Sequence, residues 1–377
     1  MNQAQQAVLA DAHSQHHIAL PVQTHKNRTV THLPVADILR GLAASWVFLF
    51  HASEGGHIDG LARILPEMLT NIAFSAGHLG VAVFFVLSGL VIAMSGERCG
   101  DGLIPAANFL ARRLTRLAPP YYLSLVVVLA YLLLKKKFEP AGVTLPEPGV
   151  LAAHLLFLQD TLGIQALNSV YWTLCIEIQF YFAFCFLMLL IRWSDRKFPA
   201  NFGWFAIMGI ACTIAAFWPI GLAYDKKWDA SFLPTWHLFL LGVVLRQALK
   251  DGRFVAAPYV IYLSVLTVAA IANKNVFTLA GIATSAVLYA FARWPAYEAW
   301  ARFRLLTKLG TISYSFYLLH NPITGAAFNI TRRLIGSGIA AEMIGLMVSF
   351  CLCVFSAAIS YMIIERPAIQ WGRRFRT

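Results

Sequence analysis

The chain has 377 residues, 59% of them hydrophobic and 13% charged, and its 30 Lys and Arg outnumber 18 Asp and Glu to give a net charge of +12. So little charge cannot cover the surface of a soluble domain of this length. The basic excess fits loops retained on the cytoplasmic side of a membrane better than a nucleic-acid surface, and no nucleic-acid partner is expected.

Apolar runs along the chain reach the ~20 residues that a helix needs to cross the hydrocarbon core. Barrel strands are about half that length, so these runs specify helices whose amides are satisfied within each segment. The expected fold is all-α, a polytopic membrane bundle of about ten transmembrane helices with the lipid bilayer as its surroundings.

In chain order, residues 1–33 are polar, rich in Gln and His, and lack a signal-peptide core, which predicts a disordered cytoplasmic tail. His13, His16 and His17 in that tail read as incidental, and no metal is expected. Helices are predicted over 36–53, 72–96, 115–134, 170–191, 203–222, 232–249, 255–272, 276–293, 309–331 and 339–364. Leu61–Gly77 and Val150–Gln159 are too short or too polar to span and are expected at the interface. The membrane domain therefore covers 34–365. Residues 366–377 form a basic cytoplasmic tail, with no appended extramembrane domain expected. Most of the 30 cationic residues fall on segments that are internal if the N-terminus is internal, so both termini are expected in the cytoplasm. Cys175, Cys185, Cys212, Cys351 and Cys353 lie in apolar runs and Cys99 in a short polar loop; all read as structural thiols.

Six segments carry polar chemistry within the apolar runs. In the first helix Arg40 and His51 are eleven residues apart, almost three turns and about 16–17 Å of rise, so they share a face. Ionisable residues at membrane depth usually serve a site, although an interfacial Arg and a His bonded to a neighbouring helix would satisfy the same pattern. In the second helix Ser88 is either a nucleophile or, with Gly89, a notch for helix packing; no base stands near it in sequence, which favours the notch.

Arg112, Arg113 and Arg116 precede Pro119 and Pro120, which are expected to break or kink the chain at the start of the third helix. Their guanidinium forks match phosphate geometry, and positive-inside anchoring is the alternative. In the fourth helix Thr173, Glu177 and Tyr181 form a polar stripe, and Glu177 is the carboxylate at mid-helix, expected to pair with a buried cation. Ser313, Tyr317 and His320 give the ninth helix a polar face. Glu365 and Arg366 before Pro367 read as an ion pair at the membrane surface.

These segments, in this order, resemble the acyltransferase 3 family of integral membrane O-acyltransferases. Arg40 and His51 match its first-helix pattern, and FFVLSG at Phe84–Gly89 its second-helix motif. Arg113 and Arg116 with Pro119, Tyr121 and Tyr122 match its RxxR segment. Trp172, Glu177, Gln179, Phe180 and Tyr181, then Ser313–His320 and Glu365–Pro367, complete the set over almost the whole membrane region. The chain departs at Ala82 and Ile178, where many members carry acids, and the periplasmic hydrolase-like domain fused to some members is not expected.

The resemblance implies transfer from a cytoplasmic acyl-CoA, commonly acetyl-CoA, to a hydroxyl of a cell-surface or exported sugar, in a bacterial inner membrane. An unactivated sugar hydroxyl attacks a thioester poorly, and a His near neutrality can take its proton. His51 is expected as that base, with Glu177 orienting a cation or the acceptor and Arg40, Arg113 and Arg116 holding the donor. Ser88, Tyr181, Tyr317 and His320 would line the cavity. The arrangement requires Arg40, Arg113 and His51 to share one cavity. A macrolide or other secondary metabolite as acceptor, or a transporter of acyl or glycolipid cargo, are the competing readings.

Overall fold

The computed structural model describes residues 33–138, 142–199, 201–223, 228, 230–250, 253–294 and 297–375. The N-terminal segment with His13, His16 and His17 lies outside them. The described residues form one helical body with no strand among them. Its helices are α1 Pro34–Glu54, α2 Asp59–Ile64, α3 Glu67–Ala73, α4 Gly80–Gly96, α5 Leu103–Phe138, α6 Pro148–Leu155 and α7 Trp172–Asp195. They continue as α8 Phe202–Ile220, α9 Trp236–Ala248, α10 Arg253–Ala272, α11 Val276–Arg293, α12 Arg304–Ile335, α13 Ile339–Ser360 and α14 Arg366–Gly372.

Seven stretches are long and apolar enough to cross a membrane: 34–54, 67–96, 103–138, 169–195, 202–220, 276–293 and 339–372. Three predicted spans are not among them: in α10 the apolar stretch is only Ala256–Ala272, and the other two fall short for different physical reasons. Helix α9 has 13 residues, about 20 Å, with nearly every side chain buried by its neighbours. Helix α12 has 32 residues but carries an inward polar face, including Ser313, Ser315, His320 and Thr324, all buried. The two stretches expected at the interface fold as the short helices α2, α3 and α6.

Glycines set the two tightest crossings, as expected where lipid supplies no hydrophobic drive between helices and close packing must. A Cβ on Gly310 of α12 would lie 1.9 Å from the Asp37 carbonyl oxygen of α1, and one on Gly41 would lie 2.9 Å from the Gly310 nitrogen. In the second crossing, a Cβ on Gly89 of α4 would meet the Phe239 carbonyl oxygen of α9 at 1.9 Å, and one on Gly242 the Val86 carbonyl oxygen at 2.1 Å. The notch expected at Ser88 and Gly89 is thus divided: Gly89 does the packing and Ser88 points elsewhere.

The α1–α12 crossing sits one turn from Arg40. Gly310→Ala should therefore push backbone against backbone and cost about 1–3 kcal/mol, the usual range for overpacking. Thermal unfolding in detergent checks this, with Gly209→Ala as the control. Gly209 lies within α8 and has open space at its Cβ position, so that change should leave the midpoint unchanged or slightly raised.

Two expectations are corrected. Helix α5 runs unbroken through Pro119 and Pro120 and begins at Leu103, twelve residues before the predicted start. Arg112 and Arg113, ahead of the predicted start, therefore lie with Arg116 inside one long helix; spanning helices tolerate proline where neighbours satisfy the freed carbonyls. At the other end of the chain, Tyr361–Glu365 forms a π turn between α13 and α14. Glu365 is 1% exposed and accepts a hydrogen bond from Ser315 Oγ at 2.8 Å, while Arg366 stays exposed. The pair read as a surface ion bridge is split by that turn. Residues 366–372, the start of the predicted basic tail, form α14 against α5, with Gly372 beside Thr115.

Candidate active site

Helices α1, α4, α5, α7 and α12 enclose a cavity of about 100 Å³. Its polar lining comes from Arg40, Ser88, Arg113, Arg116, Thr173, Glu177, Tyr181, Thr311, Ser313, Tyr314 and Tyr317, its apolar wall mainly from Val81, Phe84, Phe85, Val91, Leu117 and Leu174. Nine of the polar residues singled out in the sequence are therefore brought together: Arg40, Ser88, Arg113, Arg116, Thr173, Glu177, Tyr181, Ser313 and Tyr317. Helical periodicity accounts for each group. Glu177 and Tyr181 are one turn apart on α7, Arg113 and Arg116 one turn apart on α5, and Ser313 and Tyr317 one turn apart on α12.

Glu177 does not form the expected ion pair. Its Oε1 accepts hydrogen bonds from Ser88 Oγ at 2.7 Å and from Tyr181 Oη at 2.6 Å. Hydroxyls, not a guanidinium, satisfy that oxygen, and Arg113, over the Tyr181 ring, is committed elsewhere. Arg113 is 8% exposed, donates to the Val91 carbonyl at 3.0 Å and to Ser95 Oγ, and packs over the rings of Phe109 and Tyr181 at 5.6 and 5.9 Å. Arg40 reaches Asp37 of its own helix at 3.4 Å. Arg116 makes no hydrogen bond or ion pair among the described residues, which leaves its fork free toward the cavity. The far wall is tied across helices by Thr173 Oγ1 and Tyr317 Oη, 3.1 Å apart, and by Tyr314 Oη donating to the Leu117 carbonyl at 2.8 Å.

His51 and His320 are not in this cavity, and the expectation that Arg40, Arg113 and His51 share one is corrected. Eleven residues of α1 separate Arg40 from His51. The turns between them carry Ala44 and Phe48, which are buried in an apolar cluster with Phe316, Cys353 and Ala357. Phe48, Phe316 and Phe350 pack edge-on or tilted at 5.4–6.0 Å, and Phe84, from the cavity wall, packs against the same cluster. Phe84 also meets Tyr317 at 5.5 Å. An aromatic layer thus stands between the arginines and the imidazole.

Beyond the layer, His51 Nδ1 lies 2.8 Å from Glu54 Oε2, and its ring is 5.2 Å from that of His320. His320 is fully buried; its Nδ1 lies 2.8 Å from the Tyr317 carbonyl oxygen and its Nε2 has no partner. Tyr317 therefore touches both compartments, lining the cavity and packing 5.9 Å from the His320 ring.

Two neighbours of the site escaped the sequence reading. Tyr314 shows only as one more aromatic in a SYSFY run. Glu365 sits at a helix end by hydropathy, and only the π turn, which leaves no periodic signature, carries it inward. Glu54, the partner of His51, does have a legible signal: it follows His51 by three residues on the same helix. Among the described residues no three His, Cys, Asp or Glu come together as a metal site.

Comparison with known proteins adds the following. A family model described as an acyltransferase domain matches residues 34–365. The chain is 26% identical to acyltransferase MdmB of Streptomyces mycarofaciens over 92% of its own length and 94% of that protein. It is 27% identical to the exopolysaccharide production protein ExoZ of Rhizobium meliloti, over 87% and 96% of the two chains. Its identity to peptidoglycan O-acetyltransferase OatA of Listeria monocytogenes is 25%, over 84% of this chain and 56% of that one. No solved structure matches it significantly.

Proposed function

The chain belongs to the acyltransferase 3 family, whose model spans its membrane-embedded helices, and from that premise we propose that it moves an acyl group from cytoplasmic acyl-CoA to a hydroxyl of a cell-surface or exopolysaccharide sugar. The acetyl group is the acyl unit proposed. The membrane is a bacterial inner membrane with both chain termini on its cytoplasmic side, in keeping with the distribution of Lys and Arg.

One observation carries the reading: three guanidinium groups, Arg40, Arg113 and Arg116, meet two hydrogen-bonded hydroxyls and a carboxylate in a single cavity. A coenzyme A donor brings phosphates and a thioester, and the residues fit both. Arg116 has an uncommitted fork for an anionic group, and Arg40 stands across the cavity from it on α1. Arg113, fixed by Val91 and Ser95, adds a preorganised positive field where an oxyanion would form. A cavity of about 100 Å³ takes the thioester end of such a donor and leaves its nucleotide outside. His51, with Glu54 on Nδ1, is oriented to take a proton at Nε2 from an acceptor hydroxyl arriving from the opposite side. The relatives named for exopolysaccharide production and for peptidoglycan O-acetylation support a sugar as acceptor.

The test is purified protein in detergent or nanodiscs with labelled acetyl-CoA and a panel of extracted glycans. Expected are release of free coenzyme A and label on the glycan in equal amounts. Label transferred only to a small hydroxylated metabolite would move the acceptor class. Passage of an intact acyl or glycolipid cargo across the bilayer without coenzyme A release would replace the enzyme reading with a transporter.

A further inference from the structure

The aromatic layer poses a chemical problem. The donor's thioester is drawn to the arginine side, and His51 stands beyond Phe48, Phe84 and Tyr317. Direct attack by an acceptor hydroxyl would require donor, acceptor and imidazole to meet at one point while the layer parts. Transfer in two halves spares the donor from that meeting, because acceptor and imidazole then need only reach an acyl group already loaded at the layer, provided that the cavity holds a nucleophile with a base beside it.

It holds one. Ser88 Oγ lies 2.7 Å from Glu177 Oε1, within the reach over which a carboxylate can take a hydroxyl proton. Glu177 is held for that contact by Tyr181, whose Oη bonds the same oxygen at 2.6 Å and whose ring lies under the Arg113 guanidinium. Ser88 is also on the turn of α4 next to Phe84, so it faces the arginines while adjoining the layer. The neighbouring Gly89 locks α4 against α9 with no freedom to slide, which fixes the height of Ser88 relative to α7.

Resting on the acyl-CoA reading above, we propose that Ser88 carries the acyl group as an ester between donor and acceptor, with Glu177 as its base. In the first half, the Oγ proton passes to Glu177 as Oγ bonds the acyl carbonyl carbon. The carbon–sulfur bond breaks, and the departing thiolate takes the proton from Glu177 to leave as coenzyme A thiol. The tetrahedral oxyanion forms within the field of Arg113 and Arg116. In the second half, the acceptor oxygen bonds the same carbonyl carbon and the bond to Ser88 Oγ breaks. The acceptor's hydroxyl proton passes to His51, and Ser88 Oγ is reprotonated from solvent through Glu177, so the proton count closes. Exchanging a thioester for an oxygen ester runs downhill, and exchanging one oxygen ester for another is close to even, so the intermediate is loaded readily and remains competent. Donor and acceptor need never occupy the cavity together.

The experiment is isotope exchange. Wild-type protein is incubated with acetyl-CoA and labelled coenzyme A without acceptor, and label appearing in acetyl-CoA is followed. A parallel sample with labelled acetyl-CoA is quenched and its peptides mapped by mass. Expected are exchange in the wild type and one acetyl group on the peptide containing Ser88. Ser88→Ala should lose both, and Glu177→Gln should slow exchange by ~10²–10⁴. Ser88→Cys should place the group in a thioester that neutral hydroxylamine removes. The proposal is overturned if wild-type protein transfers acetyl to a glycan without exchange, if the label maps to another residue, or if Ser88→Ala still exchanges. Protein that neither transfers nor releases coenzyme A with any glycan removes the donor reading itself, a separate outcome visible in the same assay.

Discussion

Replacing His51 by alanine is expected to lower acyl transfer to acceptor by ~10²–10⁴, the range for losing a general base, while the protein stays folded. The imidazole is bonded to Glu54 at 2.8 Å, a contact at the edge of the bundle whose carboxylate is more than half exposed. Its loss leaves no buried charge behind, so the unfolding midpoint should move little. With Glu54 on Nδ1, the proton is fixed on that nitrogen and Nε2 is the acceptor. Glu54→Gln keeps the hydrogen bond but removes the charge, and should slow transfer less than His51→Ala. Turnover with glycan present, measured beside thermal unfolding, checks both. Near-normal transfer by His51→Ala would remove the assignment. Because acyl loading is placed on the other side of the aromatic layer, His51→Ala should also retain coenzyme A exchange, which Ser88→Ala loses.

The second large effect separates two arginines that look equivalent in sequence. Arg116→Ala should raise KM for acyl-CoA by roughly 10- to 100-fold, the equivalent of one or two hydrogen bonds to a charged group, with no change in the unfolding midpoint. Arg116 makes no hydrogen bond or ion pair among the described residues, so only its longer-range attraction to the buried Glu365 is lost. Arg113→Ala removes donors to Val91 and Ser95 and a cation packed on two aromatic rings, so it should cost stability as well as activity. Kinetics at varied acyl-CoA together with melting curves distinguish the two. Equal losses of stability in both variants would mean that Arg116 is structural, and an unchanged KM would take it out of donor binding.

The helices were legible because bilayer thickness imposes a length and an apolarity that composition shows directly. Pairing within a helix was legible too: Glu177 with Tyr181 and Arg113 with Arg116 follow from a period of 3.6. What the sequence could not show was partnership across helices. Ser88 and Glu177 are 89 positions apart, and no local pattern announces that one oxygen of Glu177 is shared by two hydroxyls. A shared helix face misled in the case of Arg40 and His51. Facing the same way says nothing of what occupies the turns between, and there Phe48 closes the route. The π turn at Tyr361–Glu365 was invisible for a related reason: one extra residue per turn changes direction without changing composition.

The layer of Phe48, Phe84, Phe316, Tyr317 and Phe350 has a consequence apart from chemistry. An energy-coupling membrane stores energy as a difference in proton concentration, and a continuous wet passage through any protein in it would short-circuit that store. A layer made mostly of packed aromatic rings disfavours such a passage between the arginines and His51.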